Sequence, residues 1–110
     1  MTSGTSRSWM PDVPVTRVSI DDSERLWVET GKSFDFVYKA ATGVEWDPAR
    51  RALVSPLHRE LTPAARLQLI CDAVRSEYGV MLVRNDETDW SAVPAAQQFM
   101  LRRLLPVQPR

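Results

Sequence analysis

Two side chains in this sequence have the chemistry of a catalytic base or nucleophile, and each type occurs once. His58 is the single histidine and Cys71 the single cysteine among 110 residues. A histidine in a loop could serve as a general base. However, no serine or cysteine lies in a recognisable nucleophile motif, and Gly-x-Ser-x-Gly is absent. Cys71 falls on the apolar face of a predicted helix, so we expect it to be a small buried hydrophobe rather than a nucleophile.

An acidic cluster could in principle bind a hard cation. Asp86, Glu87 and Asp89 lie together in a polar segment, and carboxylate oxygens are the ligands that such cations prefer. The segment lacks the glycine and the distal glutamate of a calcium-binding loop. One cysteine and one histidine cannot complete a thiolate zinc site either. The sequence therefore predicts no metal and no cofactor, and favours a solvated loop or a contact surface for a basic partner.

The aromatic residues suggest a binding surface. Four tryptophans are many for a chain of this length. Each could lie in the core, since aromatic side chains bury large areas, or act as an exposed anchor, since tryptophan and tyrosine are enriched in binding hot spots. Combining the aromatic and acidic positions gives a predicted partner-binding set: Trp46, Asp47, Asp86, Glu87, Asp89, Trp90 and Tyr38.

Charge and composition exclude several classes of protein. Fourteen basic residues balance fourteen acidic ones, so bulk electrostatics predicts no direct binding to nucleic acid or to an anionic membrane. No apolar run approaches the ~18 residues of a membrane span. A single cysteine excludes an internal disulfide and fits a reducing cytoplasm. These features predict a cytoplasmic protein.

The first half of the chain has the pattern of an antiparallel meander. Alternating apolar residues and short polar turns predict five strands. The segment 34–39 has the clearest alternation, with Phe34, Phe36 and Tyr38 on one face. The strands are expected at residues 15–20, 25–30, 34–39, 44–46 and 52–55.

The second half changes to helical spacing. Thr62 and Pro63 have the types preferred at a helix N-cap and first position, and Gly79 is typical of a C-cap. Residues 80–83 are apolar on both faces and suit an interior strand. Ser91 is expected to cap a second helix. The predicted buried faces consist of Leu67, Ile70, Cys71, Val74 and Tyr78 on the first helix, and Val93, Ala96, Met100 and Leu104 on the second.

The predicted fold class is α+β, with element order β-β-β-β-β-α-β-α and both helices packed on one face of a mainly antiparallel sheet. Residues 1–12 are expected to form a flexible N-terminal arm, residues 13–105 a single domain, and residues 106–110 a C-terminal tail. Leu69 and Phe99 fall outside the predicted buried faces of the two helices.

A series of short motifs over residues 34–84 resembles the small immunity proteins of bacterial polymorphic-toxin and contact-dependent inhibition systems. The motifs are Phe36-Val37-Tyr38-Lys39, Trp46-Asp47-Pro48, Leu61-Thr62, Arg66 with Ile70, and Tyr78-Gly79. The resemblance implies a cytoplasmic, non-catalytic protein that binds one cognate toxin domain, often a nuclease, and blocks it.

Three functional hypotheses follow. The first is an immunity protein that occludes the active site or substrate surface of a toxin domain, and that is a monomer or weak homodimer when free. The second is a small enzyme that uses His58 together with a carboxylate. The third is a structural or regulatory subunit that self-associates through a sheet edge or through Leu69 and Phe99.

Overall fold

The computed structural model describes residues 11–35, 37, 44–55 and 61–109. Within these residues, the strands before the first helix are β1 (Asp12–Ile20), β2 (Leu26–Thr30), β3 (Glu45–Asp47) and β4 (Ala52–Ser55). Helix α1 (Pro63–Tyr78), strands β5 (Met81–Val83) and β6 (Asp89–Ala92), and helix α2 (Ala95–Leu104) follow.

The described strands form one sheet in the order β3-β4-β2-β1-β5, with β6 also paired to β1. The pairs β1–β2, β2–β4 and β3–β4 are antiparallel. Strand β1 is the longest, and its second edge is shared by two parallel partners: β5 at residues 12–14 and β6 at residues 17–19. The fold is therefore α+β, with a mostly antiparallel sheet and two helices, as the sequence predicts.

Strand β1 contains a bulge that changes which residues reach the core. Val15 pairs with Thr30, whereas Arg17 pairs with Glu29, so β1 has one extra residue at this point. The valines at 13 and 15 are buried before the bulge, and Val18 is buried after it. Thr16, which strict alternation places on the same face as Val18, is exposed.

Helix α1 begins and ends as its local chemistry predicts. The Thr62 hydroxyl accepts a hydrogen bond from the Ala65 N–H at 3.1 Å, and Pro63 occupies the first turn. Gly79 adopts a left-handed conformation (φ 65°) and donates its N–H to the Arg75 carbonyl. The helix packs against β2, β4 and β5, while α2 packs mainly against α1. Both helices contribute residues to the main hydrophobic core, together with residues of the sheet.

The strand predicted at residues 34–39 is wrong for the residues described there. Phe34, Asp35 and Val37 lie outside every strand, and the Val37 N–H donates to the Phe34 carbonyl at 3.2 Å. This tight turn directs both Phe34 and Val37 inward, and both are fully buried. Alternation would have placed them on opposite faces. Phe36 and Tyr38 lie outside the described residues.

The predicted start and orientation of the second helix are also wrong. Ser91 belongs to β6, and α2 begins at Ala95 after Pro94, with no side-chain cap. Pairing with β1 keeps residues 89–92 extended, which delays the helix and turns a different face inward. Leu101 is fully buried, whereas Met100, predicted to be buried, is 54% exposed.

Residues 106–108, the start of the predicted tail, pair with Arg84, the residue directly after β5. The Arg84 N–H donates to the Pro106 carbonyl at 2.8 Å, and the Gln108 N–H donates to the Arg84 carbonyl at 2.7 Å. In the described part of the chain, neither helix has the length and apolar character needed to cross a bilayer.

Candidate functional site

The predicted partner-binding residues do not come together in one patch. Trp46 and Asp47 lie on β3, at one edge of the sheet, whereas Asp89 and Trp90 lie on β6, beyond β1. Strands β4, β2 and β1 lie between them, which corresponds to roughly 19 Å at the usual strand spacing. Tyr38 lies outside the described residues. That these residues bind a partner stays a prediction.

The two tryptophans of this set pack inward. Trp46 is half-buried against the main core and contacts Phe34 edge to face, with the ring centroids 6.0 Å apart. Trp90 is 6% exposed, and the Arg102 guanidinium lies 5.4 Å from its ring centroid. Both rings therefore serve packing in this structure.

The carboxylates of the set mostly organise their own backbone. The Asp47 side chain accepts from the N–H groups of Ala49 and Arg50 at 2.9 and 3.1 Å, which closes the turn between β3 and β4. Asp89 accepts from the Ser91 N–H at 2.8 Å and lies 3.9 Å from Arg17. Hydrogen bonds that Asp89 accepts from the backbone and side chain of Ser91, followed by the charge of Arg17, lower the pKa of Asp89.

Asp86 and Glu87 are exposed in the turn between β5 and β6. The Thr88 hydroxyl anchors this turn by donating to the Val15 carbonyl at 2.7 Å. An open cavity of about 280 Å³ adjoins the turn, lined by Asn85, Asp86, Glu87, Val107, Gln108 and Pro109. No group of three histidine, cysteine, aspartate or glutamate residues could hold a metal ion in the part of the chain that the structure describes.

The thiol that could have been a nucleophile is held in its protonated form in this fold. Cys71 lies beside a small cavity of about 110 Å³ between α1 and β5. Burial, and secondarily the charge of Asp72, raises the pKa of Cys71 to about 12. Its thiolate is therefore scarce at neutral pH. His58 lies outside the described residues, so a base at that position stays a prediction.

The sheet face opposite the helices carries a charged cluster around a buried tryptophan. The Arg50 guanidinium lies 3.7 Å from the centroid of the Trp27 ring, and Arg25 lies on the same ring at 5.4 Å. The Trp27 indole N–H donates to Asp21 at 2.9 Å, and Arg50 lies 3.6 Å from Glu29. The charged and polar groups of this cluster contact one another. They therefore form a closed network rather than an open binding site.

Asp21 has the strongest electrostatic role in that cluster. Burial acts to raise its pKa, but hydrogen bonds from Trp27 and from the backbone and side chain of Arg25 outweigh this effect. Together with the Arg25 charge, they lower the pKa of Asp21 to about 2. Its carboxylate also accepts from the Arg25 N–H at 2.9 Å, which holds the turn between β1 and β2.

An apolar groove lies where the start of α1 meets the middle of α2. We call it the α1–α2 groove; its volume is about 260 Å³. Small residues on both helices leave this space, because they cannot fill it. The lining residues are Thr62, Pro63, Ala64, Ala96, Gln97, Met100 and Leu101.

Large apolar side chains stand exposed along the groove. Met100 lines it and is 54% exposed, and Phe99, next to it on α2, is 67% exposed. The Gln97 Oε1 atom is buried at the groove and has no hydrogen-bond partner among the described residues. The Arg103 guanidinium lies 5.5 Å from the Phe99 ring centroid, so a cation borders the apolar surface. This arrangement can hold an apolar segment.

Sequence reasoning identifies only part of this surface. Phe99 falls outside the predicted apolar face of its helix, and that is the signal for exposure. The same periodicity assigns Ala96 and Met100 to the core, so it does not reveal the groove. Gln97 gives no signal at all, because an exposed glutamine and one aimed into a groove have the same sequence pattern.

Comparisons with known proteins identify the family. The family model described as Integron Cassette Protein Hfx_Cass5 matches residues 14–88, which include most of β1 and all of β2 to β5 and α1. No curated protein matches the chain. One matching solved structure is described as "Structure from the mobile metagenome of North West Arm Sewage Outfall: Integron Cassette Protein Hfx_Cass5". It is 36% identical, covers 86% of this chain and 95% of its own, and has a TM-score of 0.43.

The resemblance to toxin-immunity proteins is wrong. The matching family model includes all of residues 34–84, which carried that resemblance, and it describes an integron cassette protein instead. The expectation of a toxin-neutralising function is overturned with it, because that function came from the resemblance. The matched pieces were short turn, cap and strand-end motifs, which many unrelated α+β proteins share. By its sequence, the chain belongs to the integron cassette protein family Hfx_Cass5.

Proposed function

We propose that this protein is a non-catalytic binding module, and that it recognises a segment of another protein at the α1–α2 groove. The observation that carries the proposal is the exposure of Phe99 and Met100 beside an apolar groove of about 260 Å³. Large apolar side chains grouped at a concave surface commonly mark an interaction site.

The energetics of these side chains support a partner. Complete burial of a phenylalanine or methionine side chain contributes about 1.5–3 kcal/mol each. In the free protein, Phe99 and Met100 leave more than half of that potential unused, since they are 67% and 54% exposed. A bound segment would recover it and also cover the groove.

A protein segment fits this surface better than a small ligand. The groove itself could hold a small apolar molecule, but Phe99 does not line it. A ligand confined to the groove would therefore leave uncovered the aromatic ring that is most exposed among the described residues. A chain segment that fills the groove would extend over Phe99 as well.

The chemistry of the lining supports binding rather than catalysis. The Thr62 hydroxyl is occupied as the N-cap of α1, and the remaining lining side chains carry no titratable group. We further propose that the protein works as a monomer in the cytoplasm when free. A neutral net charge and a single, half-buried thiol fit that compartment.

A photo-crosslinking experiment in the native host tests the proposal. A benzophenone amino acid replaces Phe99 in one variant and Val107 in the other. Val107 is a matched control because it is 61% exposed and lies outside the groove. We expect a discrete protein adduct from position 99 only, and we expect Ala96→Arg, which fills the groove, to abolish it. Equal labelling from both positions would contradict the proposal.

A further inference from the structure

We infer that the segment recognised at the α1–α2 groove is an amphipathic helix whose polar face is acidic. This inference rests on the proposed function and specifies its partner. It follows from the charge on α2, from the spacing of the exposed residues and from the small residues that line the groove.

On the α2 side of the groove, the charged residues that the structure describes are all basic. Helix α2 carries Arg102 and Arg103 near its C-terminus and no acidic residue, and residues 91–110 contain no aspartate or glutamate. Arg103 is four residues after Phe99, so the two share one face of the helix. No carboxylate of the described residues lies within ion-pair distance of Arg103. A partner that covers Phe99 therefore meets an arginine free to pair with its carboxylates.

The shape of the surface favours a helix. Ala96, Phe99, Met100 and Arg103 are spaced three and four residues apart, which forms one ridge along α2. Pro63 and Ala64 of α1 lie across the groove. Small residues on both walls allow another backbone to approach closely, and helices pack at interaxial distances of about 8–10 Å. An amphipathic helix that lays its apolar face in such a groove is a recurrent mode of recognition.

Other occupants fit the charges less well. A second copy that paired through α2 would bring Arg103 against another α2, which offers only arginines and a positive N-terminal dipole. The chain's own first ten residues contain Arg7 and no carboxylate. A flat anionic membrane could attract the arginines, but it would not fill a concave groove. Charge complementarity therefore selects an acidic segment of another chain.

Binding of two synthetic helical peptides to the full-length protein tests this inference. Both peptides carry leucine at i, i+3, i+4 and i+7; one has glutamate on its polar face and the other has lysine at the same positions. Fluorescence anisotropy at low and at high salt gives the dissociation constants. We expect the acidic peptide to bind at least about tenfold more tightly at low salt, and added salt to reduce this preference.

Substitutions then locate the contact. Arg103→Glu should weaken binding of the acidic peptide about tenfold and favour the basic one, while Arg103→Gln should have an intermediate effect. Met100→Gln should weaken both peptides. Lys32→Glu is the matched charge control, since Lys32 is exposed in the turn after β2, and it should leave the preference unchanged. Circular dichroism confirms that each variant is folded.

Three outcomes would overturn the inference. The first is equal affinity for the two peptides, or binding of neither. The second is preferred binding to vesicles of anionic phosphatidylglycerol. The third is a molecular mass in light scattering that doubles with concentration and that Arg103→Glu alters. If neither peptide binds but position 99 still crosslinks to a protein in cells, the proposed function stands and only the acidic helix is rejected.

Discussion

At the scale of single residues, Asp21 shows how one carboxylate fixes a turn and a tryptophan together. It accepts from the Trp27 indole, the Arg25 guanidinium and the N–H groups of Ser23 and Arg25, each at 2.9 Å. We expect Asp21→Asn to reduce the free energy of unfolding by about 2 kcal/mol at pH 7, because hydrogen bonds to a charged group contribute about 1.5–3 kcal/mol. Urea denaturation monitored by circular dichroism measures this difference.

The pH dependence of that stability has a defined sign. The pKa of Asp21 is lowered to about 2 in the folded protein, whereas an unfolded aspartate titrates near 3.9. The stabilisation from Asp21 is therefore complete above about pH 4 and is lost as the pH falls through about 2. Asp22→Asn is the matched control, since Asp22 is exposed in the same turn. If both variants lose stability equally, or if Asp21→Asn keeps the acid dependence of the wild type, the role given to Asp21 is wrong.

At the scale of elements, Gly79 ends α1 through its backbone conformation alone. Its φ is 65°, and a Cβ atom at this position would meet no atom within 4 Å. Gly79→Ala should therefore cost about 1 kcal/mol, entirely from the left-handed conformation. A Cβ on Gly31 would likewise meet nothing, and its φ lies outside the left-handed region. Gly31→Ala should be close to neutral by the same urea measurement, and an equal cost at both positions would reject this explanation.

Elements whose ends depend on local chemistry were predictable from the sequence, and those set by distant pairing were not. Thr62, Pro63 and Gly79 define α1 because a cap, a fixed φ and a left-handed residue act within one turn. The start of α2 depends instead on β6, which pairs with β1, about 70 residues earlier in the chain. The bulge at Thr16 likewise arises from the register of β1 against β2. No local pattern encodes such register.

The candidate site depended on the same non-local information. The orientation of α2 decides whether Met100 is buried or lines a groove, and β6 sets that orientation. Composition did suggest aromatic anchors, but it could not separate Trp46 and Trp90, which pack inward, from Phe99, which does not. That distinction requires the position of neighbouring elements.

At the scale of the whole molecule, the α1–α2 groove lies directly beside the core. Adjacent residues on α2 should therefore differ in role, one contributing to stability and the other to binding. Leu101 is fully buried, while Met100 is 54% exposed. Leu101→Ala should therefore cost about 2–5 kcal/mol through lost burial and the cavity left behind. Met100→Gln should change the free energy of unfolding by no more than about 0.5 kcal/mol, as a surface substitution does.

Partner binding, unlike stability, should depend strongly on Met100. Met100→Gln should abolish most of the photo-crosslinking from position 99, because it removes apolar contact at the groove while the fold is retained. Urea denaturation and crosslinking on the same two variants separate the two effects. If Met100→Gln lowers the free energy of unfolding as much as Leu101→Ala does, Met100 belongs to the core and the groove is not a binding site. If it leaves both stability and crosslinking unchanged, the exposed face of α2 is not where the partner binds.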